Sequence, residues 1–116
     1  MVWQKTRGLI NLVYDLTLKF PKNERFNLTD QLRRTAVSIL ANIAEGFSRY
    51  HKDETKQSYR NARGSLSEVK SLLYICSDRD YVTQKRIKDI FIIIDEVGRM
   101  LNGLIKATEN YRNSRL

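Results

Sequence analysis

The run Gln31-Leu32-Arg33-Arg34-Thr35-Ala36-Val37-Ser38-Ile39-Leu40-Ala41-Asn42-Ile43-Ala44-Glu45-Gly46 decides the fold. Leu32, Ala36, Ile39 and Ile43 fall at i, i+4, i+7 and i+11, the stripe of a helix that buries one face. Val37, Leu40, Ala41 and Ala44 widen that face beyond what a two-helix seam needs. A third strip is polar, with Gln31, Arg34, Ser38, Asn42, Glu45 and Arg49 stacked three or four residues apart. A helix apolar on two sides and polar in an ordered way on the third requires neighbours in several directions.

Reading outward, the same periodicity recurs. The first helix is expected from about Trp3 to Phe20 on the stripe Thr6, Leu9, Val13, Leu16, Phe20. Pro21 stops it, because proline disfavours the helical conformation of the residue before it. Asn27 or Thr29 can cap the second helix (28–48), and Asp30 suits the positive end of its dipole. The third helix (52–78) carries Thr55, Tyr59, Ala62, Leu66, Val69, Leu73 and Cys76 in a 4-3-4-3 heptad register. After the turn Asp78-Arg79-Asp80-Tyr81, Thr83 caps the fourth (83–111), with Ile87, Ile90, Ile94, Val97, Leu101, Leu104, Thr108 and Tyr111 on its stripe. A polar tail, Arg112 to Leu116, follows and is expected to fray. The β-branched run Phe91-Ile92-Ile93-Ile94 sits inside this heptad pattern and is therefore read as helix. Three short loops joining four helices imply an all-α, antiparallel up-down-up-down four-helix bundle with coiled-coil-like packing, one domain over 1–116.

Bulk properties narrow the function. Among 116 residues, 41% are hydrophobic and 29% charged, with one proline and five glycines, a composition that favours long helices. No apolar run approaches a membrane span, and Met1-Val2-Trp3-Gln4-Lys5 lacks a signal-peptide hydrophobic region, so the cytoplasm is expected and a membrane partner is not. Twenty-one Lys and Arg against 13 Asp and Glu give a net charge of +8. That excess favours polyanions, meaning RNA, DNA or acidic protein surfaces, through counterion release and steering.

Candidate sites follow from residue type and spacing. Di-metal bundles use inward Glu and Glu-x-x-His pairs; here the sole histidine, His51, lies in a loop and the inward stripes hold no carboxylate. Cys76 lies on a core stripe, where cysteine is a small inert hydrophobe, and a single cysteine makes no internal disulfide. No Gly-rich phosphate loop occurs; Gly64 and Gly98 read as close helix contacts. No catalytic residue, metal or cofactor is therefore expected. Lys52, Lys56, Arg60, Arg63 and Lys70 line the third helix on the side away from its heptad core, Arg49 continues the line, and Tyr50 and Tyr59 flank it. Such a stripe suits a phosphate backbone without base reading, or is simply a solvated face. Arg33 and Arg34 are further candidates for the same contact. The strip Ser38, Asn42, Glu45 serves as structural pairing across a helix contact or as a ligand-facing groove. Trp3, Ile10, Tyr14, Leu40, Ala44, Leu72, Ile75, Ile92, Ile93 and Met100 fall on flanks or outer faces. Self-association would cover this surplus, and Trp3, Ile10, Tyr14 and Leu40 are the interface residues expected; the alternative is a wider internal core.

The stretch Leu28-Thr29-Asp30-Gln31-Leu32-Arg33-Arg34 through Gly46-Phe47, with Val13-Tyr14, Phe20-Pro21 and Ala62-Arg63-Gly64-Ser65-Leu66-Ser67-Glu68, resembles the 23S rRNA intervening-sequence protein family. That family includes the accessory protein of diversity-generating retroelements. The resemblance implies an antiparallel four-helix bundle, a ring-shaped homopentamer and no catalytic activity; it also implies RNA, or a reverse transcriptase with its RNA, as partner. The family usually has proline where this chain has Leu40, so an assembly angle set by a proline kink need not carry over.

The reading is of a non-enzymatic, self-assembling helical bundle presenting cations to nucleic acid or to an acidic or nucleic-acid-bound protein. A pentamer is the first expectation for its size and a dimer the second. The alternative is an oligomeric structural or adaptor protein with a protein partner only. Ile39, Ile43, Leu66, Val69, Leu73, Ile94, Val97 and Leu101 are the expected core. Leu73→Ala and Leu101→Ala should each lower unfolding free energy by roughly 2–5 kcal/mol in denaturant titrations.

Overall fold

Periodicity becomes architecture with few changes of boundary. The computed structural model describes the backbone of residues 1–115 and the side chains of residues 1–110. Four helices form, α1 (Val2–Thr17), α2 (Leu28–Ser48), α3 (Lys52–Asp78) and α4 (Gln84–Arg115), with a 3₁₀ turn, Lys22–Glu24, between the first two. No strand is present among the described residues. α2 and α3 span the residues their patterns predict, and α2 passes through Leu40 without a break.

α1 ends three residues earlier than Phe20. The Thr17 hydroxyl reaches back to Val13 O at 2.8 Å and Tyr14 O at 3.1 Å. The next amides then bond three residues back, Lys19 N to Leu16 O and Phe20 N to Thr17 O, tightening the chain into Pro21. Asn27 takes the N-cap position of α2, but its side chain donates to Glu24 Oε1 at 3.2 Å rather than capping the helix. Thr83 caps α4 as expected, its hydroxyl accepting from Arg86 N at 3.2 Å. α4 continues past Tyr111 to Arg115; the side chains of Tyr111, Arg112 and Arg115 lie outside the described residues. α3 closes with paired bonds from Asp80 N to Ser77 O and from Tyr81 N to Cys76 O. This arrangement places Asp80 in the left-handed region at φ 61°.

Each helix packs on its chain neighbours, and α1 also meets α4, closing a ring of four seams. Cross-seam pairs show that α2 against α3 and α3 against α4 run antiparallel. Ser38 faces Ser65 and Thr35 faces Glu68 between α2 and α3. Arg63 faces Asn102 and Lys70 faces Asp95 between α3 and α4. Lys5 pairs with Glu96 between α1 and α4 at 2.7 Å. The eight expected core residues are each 4% exposed or less.

The surplus apolar residues divide. Leu72, expected on a flank, is buried, and Ile10, Ile93 and Met100 are partly buried against the core. The wider-core reading therefore accounts for these four. Trp3, Tyr14, Ile75 and Ile92 remain exposed, and Leu40 is half-buried.

Glycine is required at one place, and it is not where the sequence suggests. A Cβ on Gly46 would stand 2.3 Å from Cε1 of the buried Tyr59, so the ring lies directly on the α2 backbone. Gly64 has nothing within 4 Å of an added Cβ, and at Gly98 the nearest atom is Leu66 Cδ2 at an ordinary 3.5 Å. Neither is a close helix contact. Gly46→Ala should destabilise by about 1–3 kcal/mol through displacement of the Tyr59 ring. Gly64→Ala, in an exposed helix interior, should stabilise by about 0.5–1 kcal/mol. Urea midpoints of the two variants check the contrast.

Candidate nucleic-acid interface

The cationic line on α3 does not stand clear of the bundle. Lys52 and Lys56 both reach Glu109 of α4, and the Lys56 side chain is only 13% exposed. Arg63 donates to Asn102 Oδ1 at 2.8 Å. Lys70 lies 3.6 Å from Asp95 and sits over the Phe91 ring, 5.0 Å from its centroid. These four residues form the α3 side of the α3–α4 seam, and their charges are met from α4. Hydrogen bonds from Lys56 first and Lys52 second hold the Glu109 carboxyl below its ordinary pKa. Arg49 pairs with Glu45 and approaches Glu54. Arg60 alone is exposed with no ion pair or hydrogen bond among the described residues. Of the flanking aromatics, Tyr59 is buried under Gly46 and cannot stack on a base, while Tyr50 is exposed with its ring edge-on to His51.

Unpaired cations lie instead on the outer side of α4. Lys85, Lys88, Arg99 and Lys106 are exposed and make no ion pair or hydrogen bond among the described residues. Positions 85, 92, 99 and 106 are successive heptad steps, so Lys85, Arg99 and Lys106 share one line with Ile92, each step about 10 Å along the axis. The signal was present in the sequence as this second heptad series, running behind the core stripe of the same helix. Arg33 and Arg34 lie elsewhere. Arg33 Nε donates to Thr17 Oγ1 at 2.8 Å and its guanidinium stacks over Tyr14, while Arg34 pairs with Asp30 at 3.4 Å.

The polar strip of α2 faces α3. Thr35 donates to Glu68 Oε2 at 2.5 Å, Ser38 Oγ lies 2.7 Å from both Ser65 Oγ and Thr35 O, and Asn42 donates to Ser38 O at 2.8 Å. Above and below the serine pair the α2–α3 groove widens into two hollows of about 480 and 410 Å³. Arg34 and Glu68 line the first, and Glu45 and Asn61 the second.

Chemically, these surfaces offer charge and hydrogen bonding. Among the described residues, no three His, Cys, Asp or Glu side chains gather to hold a metal ion. No helix of the described residues is long and apolar enough to cross a membrane. Cys76 is fully buried, and burial, with a smaller contribution from the charge of Glu24, pushes its thiol up to about 11.

Fold and charge together define an all-α antiparallel four-helix bundle carrying a net +8. The chain belongs to the 23S rRNA-intervening sequence protein family, which it matches over residues 1–103. A structure described as a protein with unknown function from the S23 ribosomal protein family of Bacteroides thetaiotaomicron VPI-5482 superposes with a TM-score of 0.81 at 21% identity. The match covers 90% of this chain and 95% of that one, and establishes the shared fold. Among proteins of curated function, none matches this chain.

The thiol gives a test of the packing at this end of the bundle. At pH 8 native Cys76 should resist a thiol-reactive chromophore, and labelling should appear only with unfolding, tracking the loss of helical circular dichroism.

Proposed function

We propose that this protein is a non-enzymatic, self-assembling bundle of the cytoplasm that holds a nucleic-acid backbone on the outer side of α3 and α4. The observation that carries the reading is the set of unpaired cations there: Lys85, Lys88, Arg99 and Lys106 with Arg60, which outnumber the one exposed carboxylate of α4 without a partner among the described residues, Asp89, while Asp95 and Glu109 already have partners. Phosphate contacts of this kind position a polyanion without reading bases, so binding is tolerant of sequence. A protein that already carries nucleic acid, such as a reverse transcriptase, presents the same polyanion. Self-assembly belongs to the same reading, with five subunits the first expectation, because it repeats a weak contact and multiplies it by avidity.

Fluorescence anisotropy with a labelled RNA and a labelled DNA, titrated at several salt concentrations, tests the binding. Wild type should bind at about 50 mM salt and lose affinity steeply as salt rises. Replacing Lys85, Arg99 and Lys106 together with glutamine should weaken binding roughly tenfold or more for every sequence and flatten the salt dependence by about 2–3 units of slope. Replacing Lys56 and Arg63, which bridge the α3–α4 seam, should lower stability and leave most of the binding. Absence of binding at low salt would transfer the reading to an adaptor with protein partners only.

A further inference from the structure

A nucleic-acid backbone held on the outer side of α3 and α4 can belong to a duplex or to a single strand. We propose that this face selects the single strand, with one base stacked on Tyr74 and the neighbouring phosphates carried past Lys70 to Arg99; the inference rests on the reading above. The α3–α4 seam keeps one register along its length. Tyr74 meets Phe91, Lys70 meets Asp95 and Arg63 meets Asn102, so each step back along α3 is matched by an equal step forward along α4. The same register puts Ser67 opposite Gly98. A serine facing a glycine leaves the seam unfilled, and a hollow of about 350 Å³ opens there beside the buried side chains of Leu66 and Ile94. Arg63, Lys70 and Arg99 line it against a single carboxylate, Asp95. Arg99 has no ion pair or hydrogen bond among the described residues. Lys70 holds Asp95 only at 3.6 Å with its side chain 37% exposed, so its ammonium keeps donors for a second anion.

Tyr74 supplies what charge alone does not. It is 54% exposed, and its hydroxyl makes no hydrogen bond among the described residues. Its ring meets Phe91 with centroids 4.9 Å apart and planes at 66°. At that angle Phe91 props the ring without lying flat upon it. Lys70 stands over the Phe91 ring, so two rings and a cation form one packed group. Tyr74 and Lys70 are one helical turn apart, about 6 Å, and Ser67 at the hollow is nearly a turn further on. A base on Tyr74 therefore has a cation within reach of its own phosphate. Cations alone would favour a duplex, whose charge per unit length is the higher. Stacking on an aromatic side chain reverses that order, because only unpaired bases can offer a face to it. Every base has such a face, so the selection is for strandedness and not for sequence.

Anisotropy titrations of a labelled DNA strand of about 20 nucleotides, longer than one single-strand site, test this against the duplex of the same strand. At low salt wild type should bind the strand about tenfold more tightly than the duplex. Tyr74→Ala should weaken strand binding roughly tenfold, leaving duplex affinity and the salt slope as they were. Tyr74→Trp should keep the preference, and Tyr74→Leu, which still packs on Phe91 but has no aromatic face, should lose it. Circular dichroism checks that each variant is folded. Ultraviolet crosslinking of the bound strand, mapped by mass spectrometry, should place an adduct on the peptide that carries Tyr74. Duplex bound as tightly as the strand, a preference that survives Tyr74→Ala, or adducts confined to other peptides would each overturn the inference and leave the backbone reading standing. If neither form binds at low salt, the backbone reading falls, and this inference with it.

Discussion

Helices α2 and α3 are locked in one register by contacts of two kinds. At one end the Tyr59 ring rests on the bare backbone of Gly46, and toward the other the hydroxyls of Ser38 and Ser65 meet while Thr35 bonds Glu68. The glycine lets the axes approach, and the hydroxyls forbid sliding, since a shift of one turn would part both polar pairs. Every other seam follows from this one. With α3 fixed, its opposite flank sets where Glu109, Asn102 and Asp95 of α4 must lie to meet Lys56, Arg63 and Lys70. α1 then closes the ring through Arg33 to Thr17 on one side and Lys5 to Glu96 on the other.

The same arrangement explains which features could be read from residues alone. Heptad stripes report the inward face of a helix, because burial against any neighbour produces the same apolar period. That is why Ile39, Leu73 and Leu101 were legible, and why α2 and α3 ended where their patterns end. A stripe does not say which neighbour stands on a given flank. Lys56 is 53 positions from Glu109, and nothing local in the sequence distinguishes a lysine reaching across a seam from one reaching into water. Periodicity alone therefore presents the cations of α3 as an open face, and the row behind the core of α4 is visible only as a second heptad series on that helix. Glycine shows the same limit. Gly46 and Gly64 are both isolated in helical pattern, and only the position of the Tyr59 ring separates the indispensable one from the replaceable one. The early end of α1 rests on a threonine hydroxyl bonding backward within its own helix, a choice Thr17 makes only in the folded environment.

Charge is sorted across the bundle rather than spread over it. The α2–α3 groove brings Asp30, Glu45, Glu54 and Glu68 together against two arginines, in a protein whose net charge is +8. Cations without ion pairs stand on other faces, among them Lys85, Arg99 and Lys106 on the back of α4. A single chain of 116 residues thus presents a carboxylate-lined groove and a row of cations on one scaffold.

α1 is the shortest of the four helices, with 16 residues against 32 in α4. Three of the four seams join helices that follow one another in sequence; only α1 against α4 brings distant segments together. Such a topology has low contact order, which favours rapid folding. α1 also carries Trp3 and Tyr14. Any association that uses those rings binds only chains in which α1 is docked, and so draws α1 onto the bundle by mass action. Where copies associate through those rings, docking of the first helix and subunit concentration are linked quantities, and hydrogen exchange in α1 should slow as the protein is concentrated.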